Sequence, residues 1–162
     1  MGIGERPLFR PAGAVIGSGA RAEIMATSAS LSRRRTVDDL LVAARARLNR
    51  LSPADAHACA ARGGLIIDIR SDLQRLTRGL VPGALAVPRN VLEWRADPTC
   101  EHRDPAIAAT VGPLVLMCAE GYQSSLAAAT LHDMGIERAT DMIGGFDAWV
   151  EAGLPVLPPD RW

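Results

Sequence analysis

Apolar and polar positions begin to recur with a definite period at Thr36. Val37, Leu40, Leu41, Ala44 and Leu48 fall at helical spacing and form one apolar stripe, with Arg45, Arg47 and Arg50 on the opposite face. Thr36 is placed as an N-cap, and Asp38 and Asp39 in the first turn suit the helix dipole. The pattern predicts a helix over 36–50. Ser52-Pro53 opens a second helix, Ser52 as N-cap and Pro53 at the first helical position, that runs to about Arg62 and stops at Gly63-Gly64. LIIDI at 65–69 is a short β-branched run and reads as a buried strand. ALAV at 84–87, LVLMC at 114–118 and ATDMI at 139–143 read as further strands, and 124–134 and 145–153 as helices closed by Gly135 and Gly153. Strands alternating with helices define an α/β domain with a mainly parallel sheet.

Residues 1–35 show no sustained period. They carry six Arg against Glu5 and Glu23, a net +4, while residues 36–162 carry twelve Arg against sixteen acids, a net −4. The expected organisation is a disordered extension over 1–35, an added helix over 36–50, the α/β domain over 51–157 and a short tail over 158–162. A basic arm for an acidic partner is the other reading of the extension.

Composition narrows the chemistry. The chain has 162 residues, 48% hydrophobic and 22% charged, which suits one domain with a buried core. A formal net charge of zero argues against a nucleic-acid binder, which needs a basic excess. All 18 basic residues are Arg, so a Schiff-base lysine, a pyridoxal-phosphate lysine and a Walker A lysine are excluded. Cys59, Cys100 and Cys118 are an odd number without framework spacing, which points to a reducing, cytoplasmic compartment. No run approaches the about 20 apolar residues that span a bilayer, and PAGAVIGSGA near the start is too interrupted for a good signal peptide. Neither a membrane nor a nucleic-acid partner is expected.

The chemically informative stretch is LVLMCAEGYQSSLAAATL. A buried strand ends at Cys118, a loop follows through Ala119, Glu120, Gly121, Tyr122 and Gln123, and a helix begins near Ser124. Sites in open α/β sheets lie beyond the carboxyl ends of strands. A cysteine there faces a helix N-terminus and a row of backbone N–H groups, which favour an anionic sulfur and hold an anion beside it. Gly121 lets the loop turn its N–H groups inward. A buried structural thiol fits the strand and the cysteine equally well; the strand–Cys–Gly-loop–helix order favours the anion cradle.

Five segments together resemble the rhodanese-like domains, over about residues 51–157. Leu51-Ser52-Pro53 resembles the family's first strand and helix start, and Ile66-Ile67-Asp68-Ile69-Arg70 its strand motif of apolar residues, Asp, apolar and Arg. Gly79-Leu80-Val81-Pro82-Gly83-Ala84 is similar to its Gly-His-Ile-Pro-Gly-Ala turn, and Cys118 to Ser124 to its Cys-x-x-Gly-x-x-Ser loop. Gly144 to Val156 is similar to its closing Gly-Gly, Ala-Trp, Gly-Leu-Pro pattern. The stretch Arg89 to Arg95 resembles single-domain actinobacterial members.

The resemblance implies a five-stranded, mostly parallel sheet flanked by helices on both faces. It implies sulfur transfer from a small-molecule donor, thiosulfate or a persulfide, to a thiol or cyanide through a persulfide on Cys118, with loop amides holding the anion. No cofactor and no metal are implied, and the chain is expected as a monomer or weak dimer. A non-catalytic rhodanese-fold module that binds a partner or senses redox state is the alternative.

Three departures bear on the donor: Leu80 replaces the usual His, Gln123 stands where many members carry Arg, and Glu120 puts a carboxylate in the loop. Glu120 is expected at the rim, where it repels a dianion such as thiosulfate. Arg70, Arg89 and Arg95 are the candidate pocket cations, with ion pairs to Asp68, Glu93 or another acid as the plainer reading. A phosphatase loop wants Arg six positions after the cysteine, where this chain has Ser124. A cysteine hydrolase needs an adjacent His: His132 lies too far along its helix, His57 sits in the first helix, and His102 lies in a loop that leaves the option open. His57-x-Cys59 and Cys100-x-His102 do not match structural zinc spacing. Trp149 is expected in the core, and Trp94 either on the surface or as a pocket wall.

Overall fold

Strands β1 (Leu65–Asp68) and β3 (Leu114–Met117) are almost wholly buried, because both faces of the sheet are covered. The structure, a computed structural model, describes residues 34–159; expectations for 1–33 and 160–162 lie outside the described residues. With β2 (Leu85–Ala86) and β4 (Ala139–Asp141), the strands form a parallel sheet of order β2-β1-β3-β4. Around it lie α1 (Val37–Arg45), α2 (Pro53–Ala61), α3 (Asp72–Arg78), α4 (Leu92–Ala96), α5 (Pro105–Ala109), α6 (Gln123–Asp133) and α7 (Gly145–Glu151).

The period-two alternation of the strands assigns each side chain to a layer. Ile67, Leu114, Leu116 and Cys118 join one core cluster with residues of α4, α5 and α6. Ile66, Val115 and Met117 join the other with Ala56 of α2 and Phe146 and Trp149 of α7. Trp149 is buried as expected, its indole N–H donating to the Pro155 carbonyl at 2.9 Å, while Trp94 is exposed.

The α/β fold and its flanked parallel sheet match the expectation, with four strands rather than five among the described residues. The missing strand shrinks to a single parallel bridge between Leu51 and Met142. Ser52 caps α2 and Pro53 lies in its first turn, so the chain leaves the sheet after one residue. Two of the three further short helices carry signals that the hydrophobic pattern passed over: Ser71 and Gln74 form a capping box before α3, and Asp104-Pro105 opens α5, whereas α4, Leu92–Ala96, has no side-chain cap.

The expected helix over 36–50 stops at Arg45. Thr36 and Asp39 cap its start reciprocally, and Leu41 and Ala44 are buried. Residues 46–50 turn instead, and Leu51 beyond them bridges to Met142. Arg47 donates to the Ala129 carbonyl of α6 and pairs with Asp133 at 2.7 Å. That hydrogen bond holds the Asp133 carboxyl below its ordinary value, so the tie is present at neutral pH and is lost as the pH falls through the lowered value. The placement of Arg45, Arg47 and Arg50 opposite the apolar stripe is therefore corrected: all three bond to α6, the loop before it or β4, with Arg45 and Arg50 half-buried and Arg47 exposed.

Candidate active site

Cys118 is the first residue beyond β3 and is only 5% exposed. Its sulfur accepts hydrogen bonds from the Gly121 N–H at 3.2 Å and the Ser124 N–H at 3.4 Å, and lies 3.3 Å from Ser124 Oγ. Gly121 has φ 78° and Tyr122 takes right-handed angles, a pairing that turns successive N–H groups to one side. The N–H groups of Tyr122 and Gln123 have no acceptor among the described residues. The loop thus presents a fan of donors to the sulfur and to any anion beside it, at the N-terminus of the eleven-residue α6. Glu120, Tyr122 and Gln123 are exposed, Ala119 is half-buried, and Gly121 and Ser124 are buried. Side chains stand around the rim and amides line the floor.

The turn before α7 fixes this loop from behind. Phe146 N–H donates to the Cys118 carbonyl at 2.9 Å and Asp147 N–H to the Ala119 carbonyl at 3.0 Å. A Cβ on Gly145 would sit 2.5 Å from the Cys118 carbonyl oxygen, and one on Gly121 would sit 2.7 Å from the Gly144 nitrogen. Only glycines allow the two turns to approach this closely. Gly121→Ala is expected to cost about 1–3 kcal/mol from its left-handed backbone alone, with the clash added. Urea unfolding measures the cost; a midpoint within error of the wild type would contradict the packing described.

A charged network lies behind the loop. Asp141 pairs in register with Leu116, so its side chain lies on the Cys118 face of the sheet. It is fully buried, and Arg50 grips it in bidentate fashion, Nε at 2.8 Å and Nη2 at 2.9 Å. Ser125 Oγ lies 2.7 Å from Asp141 Oδ2, and Ser124 Oγ lies 3.5 Å from it. The Gly121 carbonyl has three neighbouring donors: Arg45 Nη2 at 3.0 Å, Ser125 Oγ at 3.1 Å and Arg50 Nη2 at 3.3 Å. Arg45 also donates from Nε to Ser125 Oγ at 3.3 Å, and its guanidinium lies 5.3 Å from the centre of the Tyr122 ring.

The three cations expected near the pocket have other partners. Arg70 is 1% exposed and grips Asp68, with Nη2 to Oδ2 at 2.7 Å, donates to the Gly79 carbonyl, and stacks 3.7 Å over Phe146. Asp68 and Arg70 alternate with Ile67 and Ile69, so their side chains point to the sheet face away from Cys118. Arg89 pairs with Glu93 at 2.7 Å, and Arg95 donates to the His102 carbonyl at 2.9 Å. None of the three bonds to the loop; Arg45 and Arg50 do. Two further residues, Ser125 and Asp141, complete the network, and only the strand register reveals Asp141. No histidine joins Cys118: His57 meets Trp149 edge-on, His132 Nε2 lies 2.7 Å from the Ala139 carbonyl oxygen, and His102 is exposed beside Glu101.

The rhodanese-like domain model matches residues 52–152, and the chain belongs to that family. It is 30% identical to a sulfurtransferase of Allochromatium vinosum over 96 residues, 59% of this chain and 80% of the relative. It is 30% identical to the thiosulfate sulfurtransferase GlpE of Stutzerimonas stutzeri over 101 residues, 62% of this chain and 83% of the relative. Among solved structures, a Rhodopseudomonas palustris protein of unknown function, described as a possible tyrosine phosphatase, superposes with a TM-score of 0.71 at 33% identity. That match covers 77% of this chain and 96% of the other. No helix among the described residues is long and apolar enough to cross a membrane.

Proposed function

We propose that this chain is a sulfurtransferase that carries a sulfane sulfur as a persulfide on Cys118. The observation that carries the reading is the Cys118 sulfur held at the floor of a loop whose Gly121 and Ser124 N–H groups already donate to it. With thiosulfate as donor, the thiolate attacks the outer sulfur, the sulfur–sulfur bond of thiosulfate breaks, and sulfite leaves with the electron pair. The persulfide's outer sulfur then passes to cyanide as thiocyanate, or to a thiolate as a new persulfide, and the Cys118 thiolate is regenerated. The loop amides suit both the incoming anion and the persulfide anion. A cytoplasmic, reducing setting suits a free thiol.

The phosphatase description of the Rhodopseudomonas neighbour does not fit this chain's loop. The position six after Cys118 is Ser124, which is buried and lies against the cysteine sulfur. Arg45 and Arg50 approach the loop at the Gly121 carbonyl, so among the described residues no guanidinium of the loop stands ready to clamp phosphate oxygens.

Donor choice follows from charge at the rim. Glu120 is exposed in the loop that holds Cys118, and a carboxylate about 6 Å from a dianion in water opposes it by about 1.4 kcal/mol. The loop's own residues offer no cation, while Arg45 and Arg50 approach it at the Gly121 carbonyl. Coulomb contributions add, and removing the carboxylate still removes its repulsion. Glu120→Gln is expected to raise thiosulfate kcat/KM several-fold at low ionic strength, with the gain shrinking as salt is added. Thiocyanate release from thiosulfate and cyanide measures both the activity and this effect. Absence of turnover with thiosulfate and with persulfide donors would refute the sulfurtransferase reading; a flat response of Glu120→Gln would refute the electrostatic account alone.

A further inference from the structure

The Gly121 carbonyl is held by groups that lie outside the region shared with the family. The family match begins at residue 52, whereas Arg45 ends α1 and Arg50 follows in the turn after it. Ser125 Oγ has one hydrogen to give, and the buried Asp141 carboxylate at 2.7 Å is a shorter and charged claimant than the Gly121 carbonyl at 3.1 Å. The two lone pairs of that carbonyl are then left to Arg45 Nη2 and Arg50 Nη2. The carbonyl of Gly121 and the N–H of Tyr122 belong to one planar trans peptide and point in opposite directions. Whatever holds the oxygen therefore also aims the Tyr122 N–H.

We propose that Arg45 and Arg50 are positioning residues for Cys118. By holding the Gly121 oxygen outward, they keep the Tyr122 N–H turned to the sulfur side, where the Gly121 N–H already donates. Neither arginine touches the reacting atoms. The added helix is thus part of the sulfur site: it supplies Arg45, and it sets the course of the turn that supplies Arg50. Asp141 holds Arg50 in place and takes the Ser125 proton, which leaves the carbonyl to the guanidinium groups. As a contribution to sulfur transfer, this inference rests on the reading proposed above; as a device that stabilises the Cys118 thiolate, it is testable without it.

The test uses the full chain with Arg45→Ala and Arg45→Lys, because Arg45 is half-buried and its loss leaves no buried charge unpaired. Iodoacetamide alkylation of the Cys118 peptide at neutral pH is followed by mass spectrometry, together with urea unfolding and steady-state kinetics. Arg45→Ala is expected to slow alkylation of Cys118 by roughly three- to tenfold, the scale of one hydrogen bond's net contribution. Arg45→Lys should recover part of the loss, and the loss should persist at high salt. The direction of the change separates the two roles. A residue that merely braced the loop would, on removal, expose a buried thiol and speed alkylation. Slower alkylation supports the inference; unchanged or faster alkylation overturns it. With a sulfur donor, the matching loss should fall on kcat more than on KM, and an equal loss confined to KM would count against positioning. If the wild type takes up no sulfur, the sulfurtransferase reading fails, while the alkylation result still decides the role of Arg45.

Discussion

Arg50→Ala is expected to destabilise the protein by about 3–5 kcal/mol, the usual cost of breaking a buried ion pair from one side. The Arg50 side chain is 17% exposed and Asp141 is fully buried, so among the described residues the carboxylate left behind keeps the Ser124 and Ser125 hydroxyls as its side-chain partners. Against a typical total of about 5–15 kcal/mol, such a loss removes much of the stability. The double variant Arg50→Met with Asp141→Leu should recover most of it, since apolar groups of similar size leave no buried charge unpaired. Urea midpoints decide the matter. A loss under about 1 kcal/mol for the single variant would show that water reaches Asp141 and that the network is looser than described.

Cys118→Ser is expected to abolish persulfide formation and turnover while changing stability by less than about 1 kcal/mol. Cys118 is buried in the same core cluster as Leu116 and Ala128, and the small stability change has a local reason. A hydroxyl at this position can accept from the same Gly121 and Ser124 N–H groups, so no buried donor is left without a partner. Cys59→Ser and Cys100→Ser should retain activity. Loss of activity in either would point to a second thiol in the reaction.

The strands and the cysteine loop were legible because they rest on local pattern: short β-branched runs, glycines at sharp turns, and a cysteine between a strand end and a helix start. The closing Gly144-Gly145 pair was legible as a motif, and its physical reason emerges only with the Cys118 carbonyl pressed against it. Arg70 shows a different limit. Its position two residues past Asp68 placed it near the correct end of the sheet, and strand parity alone would have turned it to the far face. Arg45 and Arg50 show two further limits. Arg45 ends α1 four residues after the buried Leu41 and so flanks the apolar stripe instead of opposing it, whereas Arg50 lies past the end of the helix, where the turn redirects it. Tertiary pairing of Leu51 with Met142 sets that turn, and helical periodicity carries no trace of it. Asp141 sits in a strand that could be read, yet its role depends on the register that sets it beside Leu116.

The central claim, a sulfur carried on Cys118 in a cradle of backbone amides, is tested most directly by the mass of the protein after brief exposure to a sulfane donor. Thiosulfate and a low-molecular-weight persulfide should each be tried, with the excess donor removed before peptide mapping. A gain of one sulfur atom is expected on the Cys118 peptide and none on the Cys59 or Cys100 peptides, reversed when cyanide is added with release of thiocyanate. A sulfur found on another cysteine, or an unmodified Cys118 with both donors, would contradict it.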